Sequence, residues 1–296
     1  MTPPEVVAFL STGRCGTQWL ASGFGTNHPE LEVEHEPIGA LYKPRRYFRR
    51  YDDPAAMLAE PEIRDHFARL EATSRPYVET GWPMFAALPL FAERFPNQLR
   101  VVHVTRHPVP CAISHLSHQS YAGSWRRSPI TRWGTLGPTD RNVFHPEYAS
   151  RWKELSPYEK CLFFWTEVNL YGLEFPKRFP SVPFLRLRSE DLLVGDRPAL
   201  EQMLNFLDLP WTDGWLEHTG KSVDKWHFHT DQKVEPTEVL RHRATLHIAQ
   251  EFGYDFSQLN TDALQARYIG EPSVTRPSTV QRVVAGARRR VREIRA

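Results

Sequence analysis

Two short stretches carry residues suited to gripping an anion. Ser11-Thr12-Gly13-Arg14-Cys15-Gly16-Thr17-Gln18-Trp19 sets two glycines, a cation and a hydroxyl between an apolar run (residues 5–11) and a segment bearing Trp and Leu. At a strand-to-helix junction the unpaired N–H groups and the positive end of the helix dipole attract negative charge, and glycine lets the main chain come close. Arg106-His107-Pro108 ends a second apolar run, residues 99–105, and Ser114 follows eight residues after Arg106, one to two turns into the next helical segment. An Arg fork and a Ser hydroxyl converging on one anion is phosphate chemistry. The first stretch is not a Walker A loop. Ser11 stands in place of its first Gly, and Thr17 and Gln18 stand where its Lys and Ser/Thr reach phosphate and Mg²⁺. A magnesium-dependent kinase or ATPase is correspondingly disfavoured.

The elements that must position these loops alternate. Strands are expected at 5–11, 31–35, 76–80, 99–105 and 183–188, with helices near 54–72, 82–95, 157–178 and 196–207. Such alternation predicts an α/β fold with a parallel sheet covered on both faces, and in these sheets ligands bind at the carboxyl ends of the strands. Residues 119–156 break the rhythm. They read as an irregular insertion, an acceptor lid in which Tyr121, Trp125, Trp133, Phe144, Tyr148 and Trp152 lie among Arg126, Arg127, Arg132 and Arg141. Rings that merely pin the loop to the domain are the competing reading. Gly253 is expected to close a helix, and beyond it regular signals thin out.

One large domain over residues 1–270 and a basic tail over 271–296 account for the chain of 296 residues. Hydrophobic residues make up 41% and charged residues 24%, a mix that supports a sizeable core. A formal charge of +2 argues against a generic nucleic-acid binder, so the anion sites must be local. Cys15, Cys111 and Cys161 show no disulfide framework or metal spacing. With no signal-peptide pattern and no long apolar segment, the expectation is a cytoplasmic protein. The seven arginines of the last stretch suit either weak contact with an acidic membrane surface, through Val283, Val284 and Ala287, or a solvated terminus. Oligomeric state is not readable.

The order of a cation, one residue and then Gly-Thr-x-Trp resembles the 5′-phosphosulfate loop of sulfotransferases that use 3′-phosphoadenosine-5′-phosphosulfate. The Arg106 and Ser114 spacing resembles the family's 3′-phosphate site, and residues 184–209 resemble its "Arg-Tyr-Glu-Asp-Leu" strand and following helix, with Ser189 in place of the Tyr. The resemblance covers roughly 200 residues. It implies a three-layer α/β/α, P-loop NTPase-like fold and transfer of a sulfuryl group to a hydroxyl, releasing 3′,5′-adenosine bisphosphate. It implies further that Arg14 touches the sulfuryl group and the oxygen it leaves, and that the amides of Cys15, Gly16, Thr17 and Gln18 and the Thr17 hydroxyl hold the 5′-phosphate. Arg106 and Ser114 would hold the 3′-phosphate. Thr219-Gly220-Lys221-Ser222, followed by Trp226, loosely resembles the family's late loop, which makes Lys221 and Ser222 further donor contacts, against the alternative of a solvated basic loop.

Such a transfer needs in-line positioning and a proton acceptor, with no obligatory metal. His227 and His229 lack the further ligands of a closed zinc site. Glu36 is the best base, since the run of residues 31–37 reads as a strand whose C-terminal end should lie beside the phosphate loop, and Pro37 biases Glu36 toward extended backbone. Several bacterial and glycan sulfotransferases place a Glu shortly after the first helix, whereas the cytosolic animal type uses His. His35 is expected to face away from Glu36, because side chains alternate along a strand. Glu79 is the second candidate base or an acceptor-orienting group, and His35 and His115 are further candidate acceptor contacts. The acceptor would be a carbohydrate, glycolipid or other hydroxyl-bearing small molecule. Two other classes stay open: a P-loop-type phosphotransferase or NTPase, and a non-catalytic nucleotide- or glycan-binding module.

Overall fold

The computed structural model describes residues 5–121, 134–219, 230, 232, 234–257 and 259–269. Five parallel strands, β1 (Val6–Leu10), β2 (Glu32–Glu34), β3 (Tyr77–Glu79), β4 (Leu99–Thr105) and β5 (Phe184–Arg188), form one sheet in the order β2-β3-β1-β4-β5. Every strand expected from the apolar runs is present. β1 is central and pairs with β4 from Val6↔Leu99 to Leu10↔His103, so the loops that follow these two strands emerge side by side.

Alternation along β1 divides the core. Val6, Ala8 and Leu10 enter one cluster with Tyr77, Phe91 and Phe164, while Val7 and Phe9 enter another with Trp19, Phe24 and Trp215. Each strand residue thus meets a covering layer on its own side. The helices among the described residues are α1 (Thr17–Asn27), α2 (Pro44–Tyr47), α3 (Pro61–Ala72), α4 (Leu88–Arg94), α5 (Pro108–Ser117), α6 (Pro157–Arg178), α7 (Ser189–Val194), α8 (Arg197–Phe206), α9 (Gly214–His218), α10 (Arg243–Glu251) and α11 (Thr261–Tyr268). None among the described residues is long and apolar enough to cross a membrane.

Prolines divide two of the expected helices. The 54–72 segment is a 3₁₀ turn, Pro54–Ala59, followed by α3, because Pro61 lacks an N–H and holds Glu60 extended. The 82–95 segment is likewise a 3₁₀ turn, Trp82–Ala87, running into α4. α6 opens on a capping box, Ser156 with Glu159, and Pro157. Gly253 follows the end of α10 at φ 76°, as expected. Regular structure does not stop there. Asn260 caps α11 by accepting from the Ala263 amide.

In the insertion, the described aromatic rings are anchored. Tyr148 and Trp152 both pack on Phe163, Phe144 packs edge-on against Phe48 under the Arg49 guanidinium, and Tyr121 meets Trp152. Arg45 grips Asp140 through two nitrogens. Trp125, Arg126, Arg127, Arg132 and Trp133 lie outside the described residues, as does the tail over 271–296.

Candidate active site

The phosphate-loop candidate leaves β1 through Ser11, whose Oγ accepts from the Gly13 amide at 3.1 Å. Gly13 and Gly16 both sit at positive φ, 77° and 79°, the region that favours glycine. Space is tight as well. A Cβ on Gly13 would lie 2.8 Å from Trp82 Cγ, and one on Gly16 would lie 3.2 Å from Leu193 Cδ2. α1 starts at Thr17 with Gly16 as N-cap and no side-chain cap hydrogen bond, so the first-turn amides receive none from a capping side chain. Replacing Gly13 with Ala should destabilise the protein by roughly 1–3 kcal/mol through strain and collision with Trp82. A thermal melt should register this as a loss of several degrees, at about 2–4 °C per kcal/mol.

Arg14 leaves the loop at φ 59°, and its Nε donates to Ser114 Oγ on α5 at 3.0 Å. Arg106, at the end of β4, donates from Nη1 to the main-chain oxygen of Arg14 at 2.7 Å and from Nη2 to the hydroxyl of Tyr268 at 3.1 Å. The two guanidinium groups, Ser114 and Tyr268 therefore belong to one connected site. Arg106 is held in turn: Trp165 Nε1 donates to its carbonyl at 2.9 Å, and the next amide, of His107, donates to Glu190 Oε1 at 2.8 Å. Glu190 belongs to the Ser189-Glu190-Asp191-Leu192 segment. That stretch thus fixes the Arg106 turn, and Ser189 itself is buried.

Glu36 lies beyond β2 at φ 51°. The extended conformation expected from Pro37 is not adopted, because the chain turns to pass over Gly81. A Cβ there would lie 2.9 Å from Glu36 Cα and Cγ. This left-handed residue before a proline carries strain of the kind found at functional sites. Burial pushes the Glu36 carboxyl up to about 7; Arg14 works against this and the Glu79 charge adds to it. The expectation that His35 faces away also fails, since β2 has ended at Glu34. His35 Nε2 lies 3.8 Å from Glu36 Oε1, and its Nδ1 pairs with Thr80 Oγ1 at 3.2 Å. Burial, with the Arg14 charge, pulls the His35 imidazole down to about 4, so it is neutral near pH 7.

Glu79 is fully buried. Its Oε2 accepts from Tyr42 at 2.9 Å and from Tyr77 at 3.1 Å, with His66 Nε2 3.3 Å away, close but not aligned for a hydrogen bond. The other oxygen, Oε1, has no partner among the described residues. His115 is a core histidine, its Nδ1 3.5 Å from Ser120 Oγ and its ring against the edge of Phe164. Lys221 and Ser222 lie outside the described residues. The chain reaches them from beside α1: His218 Nε2 pairs with the Trp19 carbonyl at 3.0 Å, and Trp19 Nε1 donates to the His218 carbonyl at 3.1 Å.

The sulfotransferase domain from the curacin biosynthetic pathway superposes with a TM-score of 0.51 at 16% identity, over 85% of this chain and 98% of that one. This is a sulfotransferase fold. Two other solved structures align over similar spans: the sulfotransferase domain of a Synechococcus olefin synthase (TM-score 0.49, 18% identity, 86% of this chain and 97% of that one) and the sulfotransferase from Alicyclobacillus acidocaldarius (TM-score 0.45, 15% identity, 87% and 98%). No protein-family model and no curated sequence matches the chain.

Within this sulfotransferase fold, two residues of the site escape sequence reading. Trp82 packs against the turn at Gly13, although 82–95 reads only as a helical pattern; its place after β3, at the carboxyl edge of the sheet, was the available clue. Tyr268 comes from a helix whose only advance sign is the Asn260 cap.

Proposed function

We propose that the protein is a sulfotransferase that takes a sulfuryl group from 3′-phosphoadenosine-5′-phosphosulfate and passes it to a hydroxyl of a carbohydrate, glycolipid or other small-molecule acceptor. The observation that carries this reading is the joining of both cations at one site: Arg14 reaches Ser114 while Arg106 holds the Arg14 main chain. The turn's positive-φ glycines, Gly13 and Gly16, and the amides at the start of α1 suit close approach of a phosphate, which supports the donor reading.

In this reading the donor supplies an activated sulfuryl group. Arg14 and the uncapped end of α1 stabilise charge that builds on the leaving phosphate oxygen as the S–O bond breaks. Arg106 and Ser114 hold the 3′-phosphate. Glu36 takes the proton of the acceptor hydroxyl as its oxygen bonds to sulfur. A carboxyl poised near 7 suits a base working at neutral pH. His35, neutral there and 3.8 Å from Glu36, orients the acceptor or Glu36 in this reading without competing for charge.

Glu79 then acts behind Glu36, as a buried charge that helps keep it basic. Replacing Glu79 with Gln should move the rise of the rate with pH to lower pH, because Glu36 loses its proton more readily once the repelling charge has gone. A pH–kcat profile measures this, and an unmoved or upward-shifted limb would contradict the role. The reaction itself is tested by incubating protein and donor with an extract of the source cells. A molecule gaining the mass of one sulfate group is the expected product, and absence of any such gain opposes the reading.

A further inference from the structure

We infer that Tyr268 is a specificity-determining residue of the donor site, its hydroxyl donating to the 3′-phosphate alongside Arg106 and Ser114. This rests on the donor reading above. The phenol oxygen accepts from Arg106 Nη2 at 3.1 Å, so that guanidinium takes up its acceptor side and turns the O–H hydrogen elsewhere. Ser114, which accepts from Arg14, is on α5, the helix against which α11 and its Tyr268 ring pack. A fully ionised phosphate only accepts hydrogen bonds, and a phosphate set against this trio meets donors from three separate elements: the end of β4, α5 and α11.

The ring is fixed, which separates a built contact from a passing one. Tyr268 is 7% exposed and packs in a cluster with Val109, Ile113 and Leu116 of α5. Its carbonyl accepts from the Thr230 amide at 2.8 Å, and Ile269 bridges to Thr230, so the end of α11 is tied down at Tyr268 itself and at the residue after it. A hydroxyl held this way is preorganised for its ligand. Burial raises the phenol's proton affinity, but the Arg106 charge and hydrogen bond more than offset it and the net direction is down, which makes the O–H a stronger donor.

Phenylalanine at this position keeps the ring and removes only the hydroxyl. Calorimetry on the full chain with 3′,5′-adenosine bisphosphate and with ADP, for wild type and Tyr268→Phe, separates the outcomes. The bisphosphate should bind the variant roughly 10–100-fold more weakly, as for loss of a hydrogen bond to a charged group, with ADP binding unchanged. If the variant holds the bisphosphate as tightly as wild type, or more tightly, Tyr268 merely fills the space and the inference is overturned. An equal weakening toward both nucleotides also overturns it, since the hydroxyl would then be supporting the fold. Wild type that does not distinguish the nucleotides would instead sink the donor reading, and this inference with it.

Discussion

Glu36→Gln should lower kcat for sulfuryl transfer by roughly 10²–10⁴-fold while leaving the affinity for 3′,5′-adenosine bisphosphate within about twofold of wild type. The amide keeps the shape of the side chain in its left-handed turn against Gly81 and removes the ability to accept a proton. In wild type, kcat should rise with pH and level off above about 7, since only the ionised carboxyl serves as base. Stability runs the other way. The folded protein holds the Glu36 proton between the ordinary carboxyl range and about 7, where the unfolded chain has lost it, so wild type loses stability as pH climbs through that window. Glu36→Gln should therefore melt higher than wild type at pH 8, with the gain shrinking toward pH 5. Unchanged transfer removes Glu36 from the mechanism, and a lower melting point at pH 8 contradicts its burial as a strained acid.

Arg106→Ala carries the second large effect. Its guanidinium bridges the Arg14 carbonyl and the Tyr268 hydroxyl, and its own carbonyl is held by Trp165, so the turn remains while the charge goes. Affinity for the bisphosphate should fall by roughly 10²–10³-fold, the scale of losing a buried, hydrogen-bonded charge partner. ADP, with no 3′-phosphate, should weaken less than about tenfold through the loosened phosphate loop. Titration calorimetry compares the two ligands, and parallel losses would mean that Arg106 only supports Arg14.

The sheet and the turns after β1 and β4 were legible because they depend on local pattern. Apolar runs over 5–11 and 99–105 are strands wherever they are buried on both faces, and Gly13 and Gly16 announce backbone that other residues rarely adopt. The division of 54–72 at Pro61 was also readable in principle from the missing N–H. What was not legible came from long-range contacts. Pro37 argues for extended backbone at Glu36, but packing against Gly81, far along the chain, imposes the opposite. Glu79 reads as a strand-end carboxylate, yet hydroxyls from Tyr42 and Tyr77 allow it to be buried. The sequence of α11, Thr261–Tyr268, has only a weak apolar face, so its place beside Arg106 is set by α5 and Thr230 rather than by its own pattern. For the rings of the insertion the sequence left acceptor contact and loop anchoring both open, and Phe144, Tyr148 and Trp152 pack on Phe48 and Phe163, as anchoring requires.

In the proposed function one adenosine carrier with phosphates at both ends bridges the turn after β1 and the turn after β4. Titrating the unmodified chain with 3′,5′-adenosine bisphosphate and, separately, with ADP tests it most directly. A tight signal is expected for the bisphosphate and one at least tenfold weaker for ADP; equal affinities, or binding that requires magnesium, would contradict that bridging.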